Sequence, residues 1–216
     1  MITSEWAPPP GTAALIFDCD GTLADTMPAH YLAWTRMLHR YGIPFPEPRF
    51  YALGGMPTAR IIRLLADEAG VVVTDVEAMV REKEALFLEH LPGIRPIEPV
   101  LRIAARCRGQ WPLAVASGGY RHTITRTLDH LQIRDWFDTI VTAEDTPRHK
   151  PEPDVFLEAA ARLQVEPRRC VVFEDTDIGL EAAHRAGMLG IDIRPLAAVN
   201  ASSAGNFGQP LPERGR

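Results

Sequence analysis

Two carboxylates one residue apart, Asp18 and Asp20, close the short apolar run AALIF at residues 13 to 17 and are followed at once by Gly21 and Thr22. Far along the chain a second acidic pair, Glu174 and Asp175, ends another apolar run in RCVVFED. Carboxylates gathered at strand ends suggest a nucleophile, a general acid–base pair or ligands for a hard cation. Two carboxylates about 4 Å apart repel by roughly 4 kcal/mol at an effective dielectric near 20, so such a cluster calls for a positive partner. Their oxygens suit Mg²⁺, which prefers octahedral oxygen ligation and keeps some of its water.

Further residues fit the same chemistry. Ser117 follows the apolar stretch PLAVA and precedes Gly118 and Gly119. A hydroxyl beside two glycines can offer its O–H and nearby backbone N–H groups to phosphate oxygens. The chain has 23 basic residues, and Lys83 and Lys150 alone among them are lysines. A lysine in so arginine-rich a background points to a compact charge that a guanidinium could not replace, with Lys150 the stronger candidate. A calcium loop beginning at Asp18 is excluded, because its sixth and twelfth positions would be Leu23 and Ala29 rather than glycine and glutamate. Cys19, Cys107 and Cys170 are odd in number, widely spaced and without a CxxC pair, which argues against a disulfide framework or zinc site. Cys19 is flanked by two carboxylates that would suppress its thiolate, so it reads as packing.

The elements that must hold these residues follow from periodicity. After the first strand, helical patterns run over 27 to 40, 57 to 69 and 74 to 90, with PFPEP at 44 to 48 read as a break. From LPGIRPIEP onward strand and helix alternate: helix 97 to 108, strand 112 to 117, helix 120 to 131, strand then loop 137 to 145, helix 153 to 163, strand 169 to 175, helix 178 to 187 and strand 188 to 194. Such alternation predicts an α/β fold, a Rossmann-like parallel sheet covered by helices on both faces. The expected division is a core of residues 1–24 and 96–197, an inserted helical cap at 25–95, and a flexible tail at 198–216. In such sheets ligands bind at the carboxyl ends of strands, which is where Asp18, Ser117, Lys150 and Glu174–Asp175 should meet.

The net charge of −5 argues against a nucleic-acid partner. No apolar run is long enough for a membrane span, and MITSEWAPPPG lacks the pattern of a secretory signal, so a cytoplasmic protein is expected; with no obvious association face in the sequence, a monomer is expected.

The motifs in this order resemble those of the haloacid dehalogenase superfamily of phosphohydrolases, over nearly the whole chain to about Pro195. Asp18, Asp20, Gly21 and Thr22 match its first motif, Ser117 the second, Lys150 in HKPEPD the third, and Glu174 and Asp175 in VFEDTDIG the fourth. The insertion directly after the first motif is similar to the small cap of the β-phosphoglucomutase-like branch, as is DTMPAHYLAW at Asp25, Thr26, His30 and Trp34. GGMPTARI, REK, HKPEPDVF, VVFEDTDIG and AGM look closest to bacterial sugar phosphatases of the fructose-1-phosphate type.

The resemblance implies an aspartyl-phosphate mechanism. Asp18 would be the nucleophile and Asp20 the acid that protonates the leaving oxygen and then activates water. Mg²⁺ would be held by Asp18, the main-chain oxygen of Asp20, and Asp175, with Glu174 reaching it through water. Lys150 and Ser117, with Gly118 and Gly119, would position the phosphoryl group. Thr26, His30, Trp34, Arg60 and Lys83 are the candidates for reading a small phosphorylated sugar or related metabolite. The cap is expected to close over the site, hinging near 24–26 and 91–96.

One departure bears on activity. Where the mutases of the branch carry a cap arginine, this chain has Thr58, with Arg60 two positions later. That departure speaks against phosphosugar-mutase activity; a β-phosphoglucomutase is nonetheless the nearest alternative to a phosphatase. Phosphonoacetaldehyde hydrolysis would need Lys83 as a Schiff base, a dehalogenase would leave Asp20 without a task, and a phospho-accepting signalling module would lack the cap.

Overall fold

The computed structural model describes residues 6–196 of the chain; the tail expected at 198–216 lies outside the described residues. Five parallel strands form one sheet, β1 (Ala14–Phe17), β2 (Leu113–Ala116), β3 (Thr139–Val141), β4 (Cys170–Glu174) and β5 (Leu189–Asp192), in the order β3-β2-β1-β4-β5. β1 lies at the centre, with Ile16 in register with Ala114 on one side and Val172 on the other. Its ALIF sequence is buried throughout, as a central parallel strand covered on both faces requires.

The period of two along β1 divides the core into two layers. Leu15 and Phe17 pack with α5 (Glu98–Cys107) and α6 (Arg121–His130), through Val100, Ile103, Ile124 and Leu128. Ala14 and Ile16 face α7 (Asp154–Arg162) and α8 (Asp177–Arg185), through Phe156, Ala159, Ala160, Ala182 and Ala183. Small residues on that side let the helices lie close to the sheet. Phe17 and Phe173 stack on adjacent strands with centroids 4.6 Å apart.

Between β1 and β2 come α1 (Met27–Arg40), α2 (Glu47–Ala52), α3 (Thr58–Ala69) and α4 (Val76–Glu89), which share a separate apolar cluster including Trp34, Met37, Phe50, Ile62, Leu65 and Phe87. The chain enters and leaves this helical cap side by side. Asp25 N–H donates to Arg95 O at 2.9 Å, and Ile97 N–H donates to Leu23 O at 3.0 Å.

Two expectations are corrected. PFPEP does not simply break the pattern: α2 begins within it, because Pro48 lies in the first turn, where a missing N–H costs no helical bond. The helix expected from Thr74 begins at Val76, with Asp75 as its N-cap accepting from Ala78 N–H at 2.8 Å. Gly70 closes α3 in the left-handed conformation, as read from the sequence.

Candidate active site

β1 delivers Asp18 at its carboxyl end, where its N–H donates to Phe173 O of β4 at 3.0 Å. The loop preceding α7 brings Lys150 to the same place. Its Nζ lies 2.7 Å from Asp18 Oδ1 and 2.7 Å from Glu174 Oε1, with all three side chains buried. Burial would lower the Lys150 ammonium, but the charges and hydrogen bonds of Asp18 and Glu174 overcome it and raise its pKa. Lys150 is thus a fixed cation between two strand ends.

Glu174 is held as firmly on its other oxygen. Oε2 accepts from Thr176 N–H at 2.7 Å and from the Thr176 hydroxyl at 2.8 Å. The carboxylate lies directly against Gly179 of α8, where a Cβ would stand 1.8 Å from Oε1.

The neighbouring Asp175 explains the glycine and threonine of the first motif. Thr22 donates its hydroxyl to Asp175 Oδ1 at 2.9 Å. Gly21, at φ +82°, leaves space that a Cβ would fill, 2.3 Å from Asp175 Oδ2. Burial and the charge of Glu174 push Asp175 up to about 7, and burial together with Glu174, Asp175 and Asp20 raises Asp18 despite Lys150.

Asp20 belongs to a different network. Its Oδ1 accepts from the Thr26 hydroxyl at 2.8 Å and lies 3.3 Å from His30 Nε2. Burial would raise its carboxyl, but His30, Thr26 and Lys83 together hold it below the usual range. Lys83 Nζ stands 3.0 Å from His30 Nδ1. Since an ammonium can only donate, Nδ1 accepts and Nε2 carries the hydrogen that faces Asp20. Burial and the adjacent Lys83 charge lower the His30 pKa, in keeping with a neutral ring. The two motif aspartates sit in contrasting surroundings, with the Asp18 carboxyl raised and the Asp20 carboxyl lowered, an order opposite to that of an ionised nucleophile and a protonated acid, so the two roles require the charge balance to change when a phosphate binds.

Ser117 is buried at the end of β2, and its Oγ accepts from Gly119 N–H at 3.0 Å. Gly119 packs against Ile124, where a Cβ would stand 2.8 Å from Cδ1. Gly118 faces the cap, with Gly55 O 3.8 Å from its ideal Cβ position. Gly55, at φ +80°, in turn meets Ile178 of α8 so closely that a Cβ would be 2.5 Å from Ile178 Cδ1. The Gly54–Gly55 loop of the cap thus rests on the core beside the acids.

One cavity joins these groups. Asp18, Asp20, Ser117, Gly118, Gly119, Lys150 and Glu174 line its floor, and His30, Trp34, Lys83 and Thr58 line the cap side. Thr26 is buried behind Asp20 and holds it. Arg60 is corrected: it is exposed and does not line the cavity, because the inward face of α3 is formed by Ile61, Ile62, Leu65 and Ala66. Thr58, at the start of the same helix, takes the lining position. Sequence reasoning passed over Glu84, Thr123, Thr176 and Gly55. The available signal for Glu84 was its place beside Lys83 in REKEAL; Thr176 follows directly on the acidic pair.

Among the described residues, no three His, Cys, Asp or Glu side chains stand together closely enough to hold a metal ion as arranged. The expected convergence of acids on a cation is met in part by Lys150, which occupies the position between Asp18 and Glu174. The donor chemistry nevertheless fits a hard divalent ion: Asp18 and Asp175 offer oxygens only, and Gly21 leaves the Asp175 carboxylate room beside the first motif.

The chain is 40% identical over 185 residues to the fructose-1-phosphate phosphatase YqaB of Escherichia coli, covering 85% of this chain and 97% of that protein. It is 32% identical to a phosphorylated carbohydrates phosphatase of Thermotoga maritima, over 81% of this chain and 82% of that one. The fold matches the crystal structure of β-phosphoglucomutase from Clostridium difficile with a TM-score of 0.76 at 24% identity, over 84% of each chain. The haloacid dehalogenase-like hydrolase family profile spans residues 15–192, and the chain belongs to that family.

Proposed function

We propose that the protein is a phosphoric monoester hydrolase acting on a small phosphorylated sugar or related metabolite through an aspartyl-phosphate, with residues 25–95 as the cap of a core formed by 1–24 and 96–197. The observation that carries this reading is the buried Lys150 bridge between Asp18 and Glu174, placed beside Ser117 and the Gly118–Gly119 backbone and roofed by the cap.

In this reading an oxygen of Asp18 attacks phosphorus and forms the covalent intermediate, dividing one difficult displacement into two easier ones. Lys150, kept charged by its two carboxylate neighbours, balances the charge of the transferring group, and the Ser117 hydroxyl donates to one of its oxygens. Asp20 gives its proton to the departing sugar oxygen and recovers it from the water that opens the intermediate. Thr26 and His30 fix its orientation. A phosphate dianion beside Asp18 would push Asp20 up towards the protonated form that the first step requires. Mg²⁺, which the family generally uses, would be held by Asp18, the Asp20 main-chain oxygen and Asp175, with Glu174 one water further out, and would supply charge neutralisation at the phosphoryl oxygens. Residues 24–26 and 91–96, which run side by side between core and cap, are the natural hinges for admitting substrate.

The absence of Arg60 from the cavity favours hydrolysis over the mutase reading, since a bisphosphorylated intermediate needs cationic grip at its second phosphate. The test is a panel of phosphorylated metabolites assayed for phosphate release with and without Mg²⁺, on wild type and Asp18→Asn. Magnesium-dependent release that Asp18→Asn abolishes is expected. Full activity in Asp18→Asn contradicts the covalent route, and glucose 6-phosphate formed from β-glucose 1-phosphate faster than free phosphate replaces hydrolase with mutase.

A further inference from the structure

Two lysines, Lys150 and Lys83, line the cavity among the described residues, one from the core and one from α4 of the cap. Lys150 serves the phosphate end. Lys83 is not a free anion receptor. It is buried, its Nζ lies 5.7 Å from both the Trp34 and Phe87 ring centroids, and it is spent on two partners, His30 Nδ1 at 3.0 Å and Glu84 Oε1 at 2.9 Å. Glu84 neutralises it in place. The other oxygen of Glu84 accepts from the hydroxyl of Thr123 on α6 at 2.7 Å, so the carboxylate is fixed between cap and core. A carboxylate has roughly four acceptor sites, and Lys83 and Thr123 use two. The side chain keeps 14% of its surface exposed and lines the cavity. Met27, Phe50, Leu53, Met56 and Ile61 make the surrounding wall apolar.

We infer that Glu84 is the specificity-determining residue for the leaving group: it accepts hydrogen bonds from the hydroxyls of an uncharged polyol or sugar and disfavours substrates with a second anionic group at that end. The inference rests on the phosphatase reading above and narrows its substrate class to monophosphates of neutral polyhydroxylated compounds. A site built to accept a hydroxyl hydrogen discriminates strongly against ligands that lack one. A fixed carboxylate also repels a phosphate or carboxylate placed against it.

Glu84→Gln tests this without changing the side-chain volume. The amide oxygen can still accept from Thr123 or Lys83, but the Lys83 charge is no longer cancelled. Three probes are compared on the same protein sample with Mg²⁺: fructose 1-phosphate, fructose 1,6-bisphosphate, and ethyl phosphate, whose alkoxide needs the same proton but carries no hydroxyl. Ratios of kcat/KM on one sample do not depend on how much of the variant is folded. In Glu84→Gln the ratio of fructose 1-phosphate to ethyl phosphate is expected to fall at least about tenfold, the low end for a hydrogen bond to a charged acceptor. The ratio of bisphosphate to monophosphate is expected to rise about tenfold as repulsion is removed. A role confined to orienting Lys83, His30 and Asp20 would lower all three substrates in parallel. Parallel losses, or both ratios unchanged within about twofold of wild type, overturn the assignment. Wild-type protein that releases phosphate from no member of the metabolite panel overturns the phosphatase reading and this inference with it, whereas activity on the panel with none on the three probes, or activity with unmoved ratios, overturns the inference alone.

Discussion

Gly179→Ala separates the geometry of the site from ordinary helix physics, because the two give opposite signs. Gly179 is the third residue of α8, and in a helix interior replacing glycine by alanine usually stabilises by about 0.5–1 kcal/mol. Here the new Cβ would stand 1.8 Å from Glu174 Oε1, 2.0 Å from Cδ and 2.6 Å from Oε2, where ordinary contact begins at 3.4 Å. The methyl group would overlap the whole carboxylate. The carboxylate cannot move without giving up Lys150 Nζ, Thr176 N–H and the Thr176 hydroxyl.

Hydrogen bonds involving a charged group contribute about 1.5–3 kcal/mol each, and breaking a buried ion pair costs about 3–5 kcal/mol. Partial relaxation of α8 recovers some of this, so a net destabilisation of at least about 2 kcal/mol is expected after the helix propensity gain is subtracted. Lys150 would follow the displaced carboxylate, and kcat/KM should fall by about a hundredfold or more, as when a preorganised electrostatic partner is removed. Urea unfolding at neutral pH gives the first quantity and steady-state phosphate release the second. Glu174→Asp in the same background shortens the side chain by one methylene and should recover part of the stability, showing coupling between the two positions. Equal or greater stability in Gly179→Ala, with kcat/KM within twofold of wild type, would refute the reasoning.

Three further predictions concern other parts of the molecule. Thr22→Val removes the hydroxyl that orients Asp175 and should raise the Mg²⁺ concentration for half-maximal activity about tenfold or more, measured by metal titration at saturating substrate. Arg60→Ala should change kcat/KM by less than about twofold on any substrate accepted, because the side chain is exposed and outside the cavity; a larger loss would show that the cap brings it inward during turnover. Asp145 would be raised by burial, but hydrogen bonds from Arg162 and Thr142 and the charge of Arg121 lower it to about 2. A depressed folded-state pKa contributes stability above the unfolded value near 4 and loses it as pH falls towards 2, so Asp145→Asn should lower Tm at pH 7 and the difference should shrink between about pH 4 and 2.

The core was legible because its signals are local. A buried parallel strand such as ALIF is apolar throughout, and chemistry placed at its end stands out as the first polar residues after it. Strand ends converge wherever strands are parallel neighbours, so Asp18, Ser117 and Glu174 could be brought together from the alternation of elements alone. α2 was hidden by the three prolines of PFPEP, which read as punctuation although Pro48 in a first turn is compatible with helix.

The cap was less legible for a different reason. Which residue of a helix faces a cavity depends on how that helix is rotated against its neighbours, and one position turns a side chain by about 100°. Arg60 and Thr58 differ by two positions and face different surroundings, and only packing of Ile61, Ile62 and Leu65 decides between them. Glu84 illustrates the same limit from the other side. It was passed over beside Lys83, yet one of its oxygens accepts from Lys83 and the other from Thr123, distant in sequence and on the core side of the cavity. The phosphate end is therefore fixed by sheet topology, while the sugar end is fixed by helix rotation. Specificity in this chain should change through single substitutions on α1, α3 and α4 that leave the strand-end acids untouched, and Glu84 is where that separation can be measured.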